Sequence, residues 1–394
     1  MAIKGLDFFR LDDDYTDQEK LIKKSVREYL DREIRPQVNE AFHQEVPLDF
    51  QSIGRTMGEL GMLGAFLPEK YGCPGANYVE FGLICQEVER VDSALRSFVA
   101  VTSGLVMYPI FAFGSEEQKM KWLPGLASGE IIGCFGLTEP NHGSDPGSME
   151  TTARWDGQAW ILNGSKTWIT EADIADIAVV WAKDVQDGRI KGFVVEKDTP
   201  GFTRSQLTMK GSMRAGGVGE LGLVNCRVPE SNRLDKGQGL RSPLKCLNQA
   251  RYGISWGALG AAADCFETAL AYTRERTQFG SPIASFQLVQ DKLVTMFMDI
   301  SKGQLVSYRV GRLMDRGTSI PEQISFAKKN NVAVARKCAR VARELLGANG
   351  ISLDYSPIRH MANIESVYTY EGTDDIHTLI LGRHVTGLQA FTPG

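Results

Sequence analysis

The spacing of hydrophobic and polar positions divides the chain into three stretches. From Tyr15 to about Gly129, apolar residues recur at the three- and four-residue spacing of amphipathic helices. From about Glu130 to Asp235 they form short runs typical of strands. From about Ser242 the helical spacing returns, and it predicts four long helices near 245–275, 286–316, 321–346 and 373–390.

Short motifs sharpen these predictions. Thr16-Asp17-Gln18-Glu19 is typical of a capping box that begins a helix. Pro36 is expected to break or kink that helix at its other end. The breaker-rich segment 68–75 predicts a loop, and Asp156-Gly157 between two strand-like runs predicts a hairpin. Three more strands are expected near 177–182, 192–196 and 221–225, with the spacing of a small antiparallel barrel or sandwich.

Together these patterns predict an α+β protein of three domains. We expect an N-terminal helical domain over 1–130 and a middle antiparallel β-barrel or sandwich over 131–240. The remaining residues, 241–394, are expected to form a four-helix bundle, because their long helical segments are joined by short breaks. A chain of 394 residues is long enough for this organisation.

Composition and charge exclude several classes of function. The formal net charge is −4 and the basic residues are scattered, so neither nucleic acid nor an acidic membrane surface is an expected partner. No apolar run approaches the roughly 18–20 residues needed to span a bilayer, so no membrane span is expected. The first residues, with Asp12, Asp13 and Asp14 close behind, fit neither a secretory nor a transit peptide, which predicts a cytoplasmic protein.

Cysteine and histidine usage supports the same picture. The seven cysteines include no Cys-x-x-Cys, so reduced thiols in a cytosol-like compartment are expected. None of the five histidines has a ligand-like neighbour, so no metal site is expected. The glycines of Gly217-Val218-Gly219-Glu220-Leu221-Gly222 imitate a dinucleotide-binding fingerprint. A strand-like run follows them where that motif requires a helix, so we expect no Rossmann site.

Three segments carry candidate chemistry, and each has a structural alternative. The hydroxyl- and glycine-rich segment 135–145 is suited to a planar ligand or a phosphate, or is an elaborate linker. Trp168-Ile169-Thr170 offers a stacking ring beside a hydroxyl donor, or is a core tryptophan at a strand end. Glu371, after two tyrosines and before a helix, is a general base in a water-poor site or a carboxylate at a helix start. Residue chemistry alone favours the helix-start interpretation for Glu371.

These segments, in this order, resemble the acyl-CoA dehydrogenase family. The resemblance extends to Arg274-Glu275-Arg276-Thr277-Gln278-Phe279-Gly280 and Leu345-Leu346-Gly347-Ala348-Asn349-Gly350, and thus covers essentially the whole chain. The segments 87–93, Arg96-Ser97, 248–253 and Tyr370-Glu371-Gly372-Thr373 look most like the glutaryl-CoA dehydrogenase branch of the family.

The resemblance implies an FAD enzyme that acts on acyl-CoA thioesters, with Glu371 as the base that removes the α-proton. It implies electron transfer to an electron-transferring flavoprotein or equivalent acceptor, and a homotetramer in which Arg276 and Gln287 reach the FAD of a neighbouring subunit. The implied FAD contacts are Phe135, Leu137, Thr138, Gly143, Ser144, Trp168, Ile169, Thr170, Arg276, Phe279, Gln287, Gly347, Gly350 and Thr373.

The same resemblance suggests a dicarboxylic substrate. Arg96 would bind the distal carboxylate of glutaryl-CoA, and the product after loss of CO2 would be crotonyl-CoA. The implied substrate contacts are Arg96, Ser97, Glu89, Ser144, Asn248, Arg251, Tyr370 and Gly372. In glutaryl-CoA enzymes of the family, a tyrosine at the position of Tyr370 accompanies decarboxylation.

Several positions depart from the pattern of close relatives. Ala100, Thr102 and Gly104 stand where Ser, Gln and Ser are usual near the acyl group, and Glu171 stands where Asn is commoner. A non-decarboxylating dehydrogenase of glutaryl-CoA or of a substituted succinyl-CoA is therefore an open alternative. An acyl-CoA oxidase and a catalytically inactive CoA-ester-binding protein are more distant ones.

Overall fold

The first long helix begins at the capping box that the sequence predicts. A computed structural model describes residues 5–237 and 239–390. In it the Thr16 Oγ1 accepts the Glu19 N–H at 3.2 Å, and the Glu19 Oε2 accepts the Thr16 N–H at 2.9 Å. These two bonds satisfy donors that a helix start otherwise leaves free. Residues 1–4, part of the start used to predict a cytoplasmic protein, lie outside the described ranges.

The N-terminal stretch is helical, as predicted. Its helices are α1 (Asp17–Tyr29), α2 (Arg35–Gln44), α3 (Phe50–Glu59), α4 (Tyr78–Val91), α5 (Ser93–Ala100), α6 (Tyr108–Phe113) and α7 (Glu116–Ala127). Pro36 does not end the helix as a simple break would. A π-helical turn, Leu30–Ile34, precedes α2 and leaves Pro36 in the first turn of that helix, where a missing N–H costs little.

A second π-helical segment, Val101–Met107, joins α5 to α6 into one long buried helix. This helix, Ser93–Phe113, has 21 residues and contains an 18-residue window with a mean hydropathy of 1.4, so by length and composition alone it passes as a membrane span. The sequence prediction overlooked it because Arg96 and several hydroxyl residues interrupt the apolar run. Its most apolar window is 89% buried inside the fold, which is typical of a core helix.

The middle stretch forms one sheet with the strand order β6-β7-β3-β2-β4-β5-β8, in which β1 pairs with β4. Most pairs are antiparallel, as predicted, but β1–β4 and β2–β4 are parallel. Composition does not distinguish the two kinds of pairing, which is why the sequence missed them. The strands are β1 (Gly133–Gly136), β2 (Thr152–Trp155), β3 (Ala159–Thr170), β4 (Ile177–Asp184), β5 (Ile190–Glu196), β6 (Phe202–Gln206), β7 (Val218–Pro229) and β8 (Arg233–Leu234).

Two sequence predictions are confirmed within this sheet. Strands β2 and β3 form the antiparallel hairpin expected around Asp156-Gly157. The glycine-rich segment beginning at Gly217 enters β7 directly, with no helix after it, so the dinucleotide-binding geometry is absent there.

Five helices follow the sheet in the described part of the chain: α8 (Arg241–Glu275), α9 (Gln287–Asp315), α10 (Pro321–Leu345), α11 (Ser356–Thr369) and α12 (Asp374–Thr386). The first three match the predicted long segments. The fourth predicted helix ends near residue 386 instead of 390, because Gly387 adopts a left-handed conformation with φ of 73°. Helix α11 was not predicted. A small hairpin, β9 (Thr277–Gln278) with β10 (Ser281–Pro282), connects α8 to α9.

The N-terminal and C-terminal helices share a core. Trp256 and Tyr252 of α8 pack in the same apolar cluster as Phe81 and Val88 of α4. Close helix packing brings charged residues of α4, α5, α8 and α10 to one place beside the turn between α11 and α12.

Candidate active site

Glu371 lies in the turn between α11 and α12, but it does not cap either helix. The side chain that caps α12 belongs to Thr373, whose Oγ1 accepts the Ile376 N–H at 3.3 Å. Glu371 has φ of 53° and the following Gly372 has φ of 93°. The left-handed conformation is uncommon for a residue other than glycine. The buried Glu371 Oε2 has no hydrogen-bond partner in residues 5–237 and 239–390. The helix-start interpretation of this carboxylate therefore fails.

The residues around Glu371 set the pKa of its carboxyl above that of a carboxyl in water. Burial raises the pKa to about 6, and Arg96, Arg251 and Lys328 oppose that rise. Glu89 raises it further. A carboxylate that titrates near the working pH is suited to accept and return a proton.

Arg96, on α5, is fully buried and held from two sides. Its Nε donates to Glu89 Oε2 at 2.7 Å, its Nη2 donates to the Tyr370 hydroxyl, and its guanidinium lies 5.4 Å from the centre of the Tyr370 ring. Burial alone would lower the pKa of Arg96, but the nearby carboxylates of Glu89 and Glu371 outweigh burial and raise that pKa. The Nη1 of Arg96 and the Oε1 of Glu89 are buried and lack partners in the described chain.

Arg251 of α8 closes the turn from the other side. Its Nε donates to the Glu371 carbonyl at 2.7 Å, and its Nη1 donates to Asn248 Oδ1 at 3.4 Å. A Cβ at position 372 would lie 3.1 Å from Arg251 Nη2, and the backbone there has a φ of 93°, which residues other than glycine rarely adopt. Glycine therefore fits this position best. Six predicted substrate contacts, Glu89, Arg96, Asn248, Arg251, Tyr370 and Gly372, thus surround Glu371.

A hydroxyl contact connects this cluster to the sheet. The Ser97 Oγ lies 3.3 Å from the Thr170 Oγ1, at the end of β3. The register between β3 and β7 shifts between Lys166 and Ile169, and at this bulge Trp168 adopts φ of 60°. The bulge turns the Trp168 side chain outward, where it is 65% exposed, while Ile169 stays in the core.

The segment after β1 lies beside the same end of β3. The Leu137 carbonyl accepts the Lys166 Nζ at 3.1 Å, and the Thr138 carbonyl accepts the Thr167 N–H at 2.9 Å. Lys166 also pairs with buried Glu139 at 2.8 Å. Burial lowers the pKa of Lys166 to about 8, whereas hydrogen bonds from Lys166 and Thr151 overcome burial and lower that of Glu139 to about 2. The bonds from Lys166 and Thr167 thus hold the predicted contacts Leu137 and Thr138. Phe135 lies on β1, and Gly143 and Ser144 are exposed.

Five other predicted FAD contacts, Arg276, Phe279, Gln287, Gly347 and Gly350, lie in and around the β9–β10 turn and in a 3-10 helix after α10, and all of them except Gly350 are exposed. Phe279, in the β9–β10 turn, is 96% exposed with φ of 53°, and Arg276 and Gln287 flank it at the surface. The 3-10 helix Gly347–Ile351, which contains both predicted glycines, is tied to α8 by the Asn349 Nδ2 bond to the Tyr272 hydroxyl at 3.1 Å. No hydrogen bond or ion pair of the described residues joins this group to Glu371.

These features fit a flavin. Trp168 presents an exposed aromatic face, and Thr170 brings a hydroxyl to the same strand end. Thr373, which was predicted to touch FAD, lies two residues after Glu371, so one ligand can reach both. The described residues contain no group of three His, Cys, Asp or Glu placed to hold a metal ion.

Two buried residues beside Glu371 were not predicted. The first is Lys328 on α10, which donates to the Tyr370 and Gly372 carbonyls. The second is His377 on α12. Burial lowers its pKa to about 3, which keeps this imidazole neutral. A signal for Lys328 existed in the sequence. It shares the buried stripe of α10 with Ile324, Asn331 and Ala335, and a lysine at such a position is unusual.

Comparisons with known proteins identify the family. Family models of the acyl-CoA dehydrogenase N-terminal, middle and C-terminal domains match residues 16–130, 134–226 and 237–386. The acyl-CoA dehydrogenase of Bacillus subtilis (strain 168) is 37% identical over 376 residues, which cover 94% of this chain and 99% of that protein. The glutaryl-CoA dehydrogenase of Desulfococcus multivorans is 34% identical over 378 residues, covering 94% and 97%.

A crystal structure gives a closer match. Glutaryl-CoA dehydrogenase from Mycobacterium smegmatis, in complex with FADH2, is 48% identical with a TM-score of 0.96, covering 98% of this chain and 99% of that one. The fold and the three domain matches show that the chain belongs to the acyl-CoA dehydrogenase family. Within the family it is a glutaryl-CoA dehydrogenase-like oxidoreductase, and its cofactor is FAD.

Proposed function

We propose that this enzyme oxidises glutaryl-CoA and then decarboxylates the product, releasing crotonyl-CoA and CO2. The observation that supports this proposal is the complete burial of Arg96 beside Glu371, with its Nη1 left without a partner in the described chain. A buried guanidinium donor is costly unless it has an acceptor. A carboxylate at the distal end of an acyl chain would be such an acceptor.

Glu371 is the proposed base. A thioester α-C–H is far too weak an acid for a carboxylate unless the carbonyl oxygen receives hydrogen bonds as negative charge develops on it. The Glu371 N–H is the donor that we assign to this oxygen. The pKa of Glu371, raised to about 6 by burial, leaves it ionised at neutral pH. FAD, when bound, accepts the hydride that leaves the β-carbon.

Arg96 is the proposed anchor for the second carboxylate. Glu89 and Tyr370 already hold its Nε and Nη2, so the guanidinium plane is fixed before the substrate arrives. A carboxylate accepting from Nη1 would form a charge-assisted hydrogen bond away from water, which is stronger than one at the surface. The same contact would select carboxylated acyl chains over plain ones.

Decarboxylation then follows from substrate chemistry. Once the α,β double bond has formed, the distal carboxylate is a vinylogous β-keto carboxylate. The C–C bond to it breaks as CO2 leaves, and the bond electrons move into the thioester as a dienolate. Glu371, protonated in the first step, returns its proton to the γ-carbon. The α-proton taken from glutaryl-CoA is thus used again, and no further acid is needed.

A non-decarboxylating dehydrogenase of glutaryl-CoA or of a substituted succinyl-CoA is the second candidate. It draws on Thr102, whose buried Oγ1 has no partner among the described residues and which stands where close relatives usually carry a different side chain. An unpaired hydroxyl there offers a different contact to the acyl group. Glu371 in its full setting argues against a catalytically inactive protein.

The wider assignments are also proposals. We assign electron transfer to an electron-transferring flavoprotein, a homotetrameric assembly, a cytoplasmic location and domain boundaries near residues 130 and 240. The exposed group around Phe279 supports an assembly in which a neighbouring copy covers it.

The test is anaerobic reduction of the yellow purified enzyme by glutaryl-CoA and by butyryl-CoA. Substitution Arg96→Ala should lower kcat/KM for glutaryl-CoA about 100-fold more than for butyryl-CoA, as expected for a lost charged hydrogen bond. Arg96→Lys is the matched variant, since it keeps the charge but loses the planar fork. Taking the ratio of the two substrates cancels any general loss of active protein. Equal losses for both would contradict the carboxylate anchor.

A further inference from the structure

Lys328 is a buried lysine whose hydrogen-bond partners are backbone carbonyls. It lies on α10 with only 1% of its surface exposed. Its Nζ is 2.8 Å from the Gly372 carbonyl and 3.2 Å from the Tyr370 carbonyl. It forms no ion pair within the described ranges. Burial lowers its pKa to about 7, with Glu371 acting in the opposite direction. A leucine or methionine would fill this position at less cost, so packing alone does not explain an amine there.

The two carbonyls belong to the peptide groups on either side of Glu371. Arg251 holds the carbonyl of Glu371 itself at 2.7 Å. Three successive carbonyls, those of Tyr370, Glu371 and Gly372, therefore each accept from a buried cation. These bonds hold a turn whose positive φ angles, 53° at Glu371 and 93° at Gly372, the backbone would otherwise adopt at a cost.

The peptide group that joins Tyr370 to Glu371 determines where the Glu371 N–H points. No peptide bond in the described chain is cis. In a trans peptide the C=O and the N–H point in opposite directions. Because the Tyr370 carbonyl faces Lys328, the Glu371 N–H faces away from it. Within residues 5–237 and 239–390, no group accepts that N–H.

We infer that Lys328 is a positioning residue for the proposed dehydrogenation: it aims the Glu371 N–H at the thioester carbonyl oxygen and strengthens that donor. The inference rests on the proposed function. A cation bonded to the oxygen of a peptide withdraws electron density from its N–H, and a chain of hydrogen bonds in a low-dielectric site reinforces each member. Stabilisation of the developing enolate oxygen is greatest when the donor is fixed before the reaction begins.

The test compares Lys328→Met with the wild-type FAD enzyme. Removing an oxyanion donor outright costs about 10²–10³-fold in kcat, and here the N–H remains, so we expect a loss of about 10–100-fold with KM less affected. Lys337→Met is the matched control, because Lys337 is an exposed lysine on the same helix paired with Asp299. It should keep wild-type kcat.

A spectroscopic readout separates positioning from folding. The probe is 3-thiaglutaryl-CoA with a ¹³C-labelled thioester carbonyl, in which sulfur replaces the β-carbon so that no hydride can leave. Infrared difference spectra should show a lower carbonyl frequency on binding to wild type and to Lys337→Met. In Lys328→Met that lowering should shrink, and the pH at which the bound probe loses its α-proton should rise.

Each outcome is decisive for Lys328. A Lys328→Met enzyme that binds FAD and shows the wild-type carbonyl frequency contradicts the positioning role, whatever its activity. If that variant does not fold, Lys328→Gln replaces it: one amide donor should give an intermediate frequency, and a wild-type value overturns the inference. If wild type itself is not reduced by glutaryl-CoA and does not shift the probe, the proposed function fails instead.

Discussion

Two regions carry the predicted functional residues, and they differ in how complete they are. The catalytic cluster, comprising Glu89, Arg96, Arg251, Lys328, Tyr370 and Glu371, is closely bonded within one chain. The outer cofactor surface, comprising Arg276, Phe279, Gln287, Gly347 and Gly350, lies mostly exposed. Groups that move protons need fixed geometry before substrate binds. A surface that only holds a cofactor can instead be completed when the subunits assemble.

The exposed region shows this incompleteness in its energetics. A phenylalanine that is 96% exposed in a left-handed turn gains nothing from burial, and its backbone conformation is unfavourable. Contact with a flavin or with a neighbouring subunit would offset both. In the catalytic cluster, each of the three cations beside Glu371 already has at least one acceptor in the same chain, and the Arg96 Nη1 is the donor left for a substrate carboxylate.

The largest expected effect is in the catalytic cluster. Glu371→Gln removes the base and keeps its shape, and should lower the rate of flavin reduction about 10²–10⁴-fold. FAD content and thermal stability should stay near wild type, because the Glu371 Oε2 has no partner to lose in the described chain. Anaerobic stopped-flow absorbance measures the rate. A variant that still reduces its flavin at the wild-type rate would remove Glu371 from the mechanism.

The next effect belongs to the outer cofactor surface. Arg276→Ala should weaken FAD binding about 10–100-fold, the value of a charge-assisted hydrogen bond, as measured by fluorescence titration of the apoprotein. Arg274→Ala, a change two residues earlier at the end of α8, is the comparison.

Subunit mixing shows whether Arg276 acts between copies. Mixed assemblies of Glu371→Gln and Arg276→Ala chains should regain activity, since one site would then combine an intact Glu371 with an intact Arg276. No recovery, with mixing verified by mass spectrometry, would place Arg276 and Glu371 at the same subunit's site.

The pH dependence follows from the burial of Glu371. Because the ionised form is the base, kcat/KM should fall about tenfold per pH unit below about 6, and should level off above 6 until Lys328, whose pKa burial lowers to about 7, loses its charge. The direction is fixed by the raised pKa: a carboxyl in water would keep full activity down to about pH 4.5. A plateau that extends unchanged to pH 5 would show that burial does not control this group.

The smallest expected effect concerns Glu171, which directly follows Thr170 at the end of β3. Burial raises its pKa to about 8, and its Oε1 accepts the Gly217 N–H at 3.1 Å. The folded chain therefore keeps a proton that the unfolded chain releases near 4.5, so stability falls as pH rises between 4.5 and 8. Glu171→Gln should stabilise the protein at pH 9 by at least about 1 kcal/mol and change little at pH 5.

Urea unfolding at the two pH values measures this difference. The amide retains the acceptor for Gly217, so hydrogen bonding is matched between the variants. Equal stability differences at both values would mean that folding does not raise the pKa of Glu171.

How far the sequence predicted the molecule depends on the range of each interaction. The capping box at Thr16 and the hairpin at Asp156-Gly157 are local, and the structure confirms both. The parallel pairing of β1 with β4 joins distant segments, and strand composition carries no signal for it. Helix α11 follows the breaks near Gly347 and Gly350 and was not predicted.

The active site shows the same difference between local patterns, which the sequence reveals, and contacts between distant segments, which it does not. Glu371 and Arg96 were identified through family resemblance, since residue chemistry alone favoured ordinary structural roles for both. Their mutual placement depends on packing α4, α5, α8 and α10 around one turn, which no local pattern specifies. The buried stripe of α10 carried a signal for the burial of Lys328, but its backbone-carbonyl partners leave no trace in side-chain motifs, so its role was missed.

The most direct test of the central claim is the product formed from glutaryl-CoA by the purified FAD enzyme with an artificial electron acceptor. Liquid chromatography with mass spectrometry, using glutaryl-CoA labelled with ¹³C in the distal carboxylate, follows both halves of the reaction. We predict crotonyl-CoA and labelled CO2 in equal amounts. Accumulation of glutaconyl-CoA would contradict decarboxylation, and unchanged glutaryl-CoA would contradict the proposed substrate.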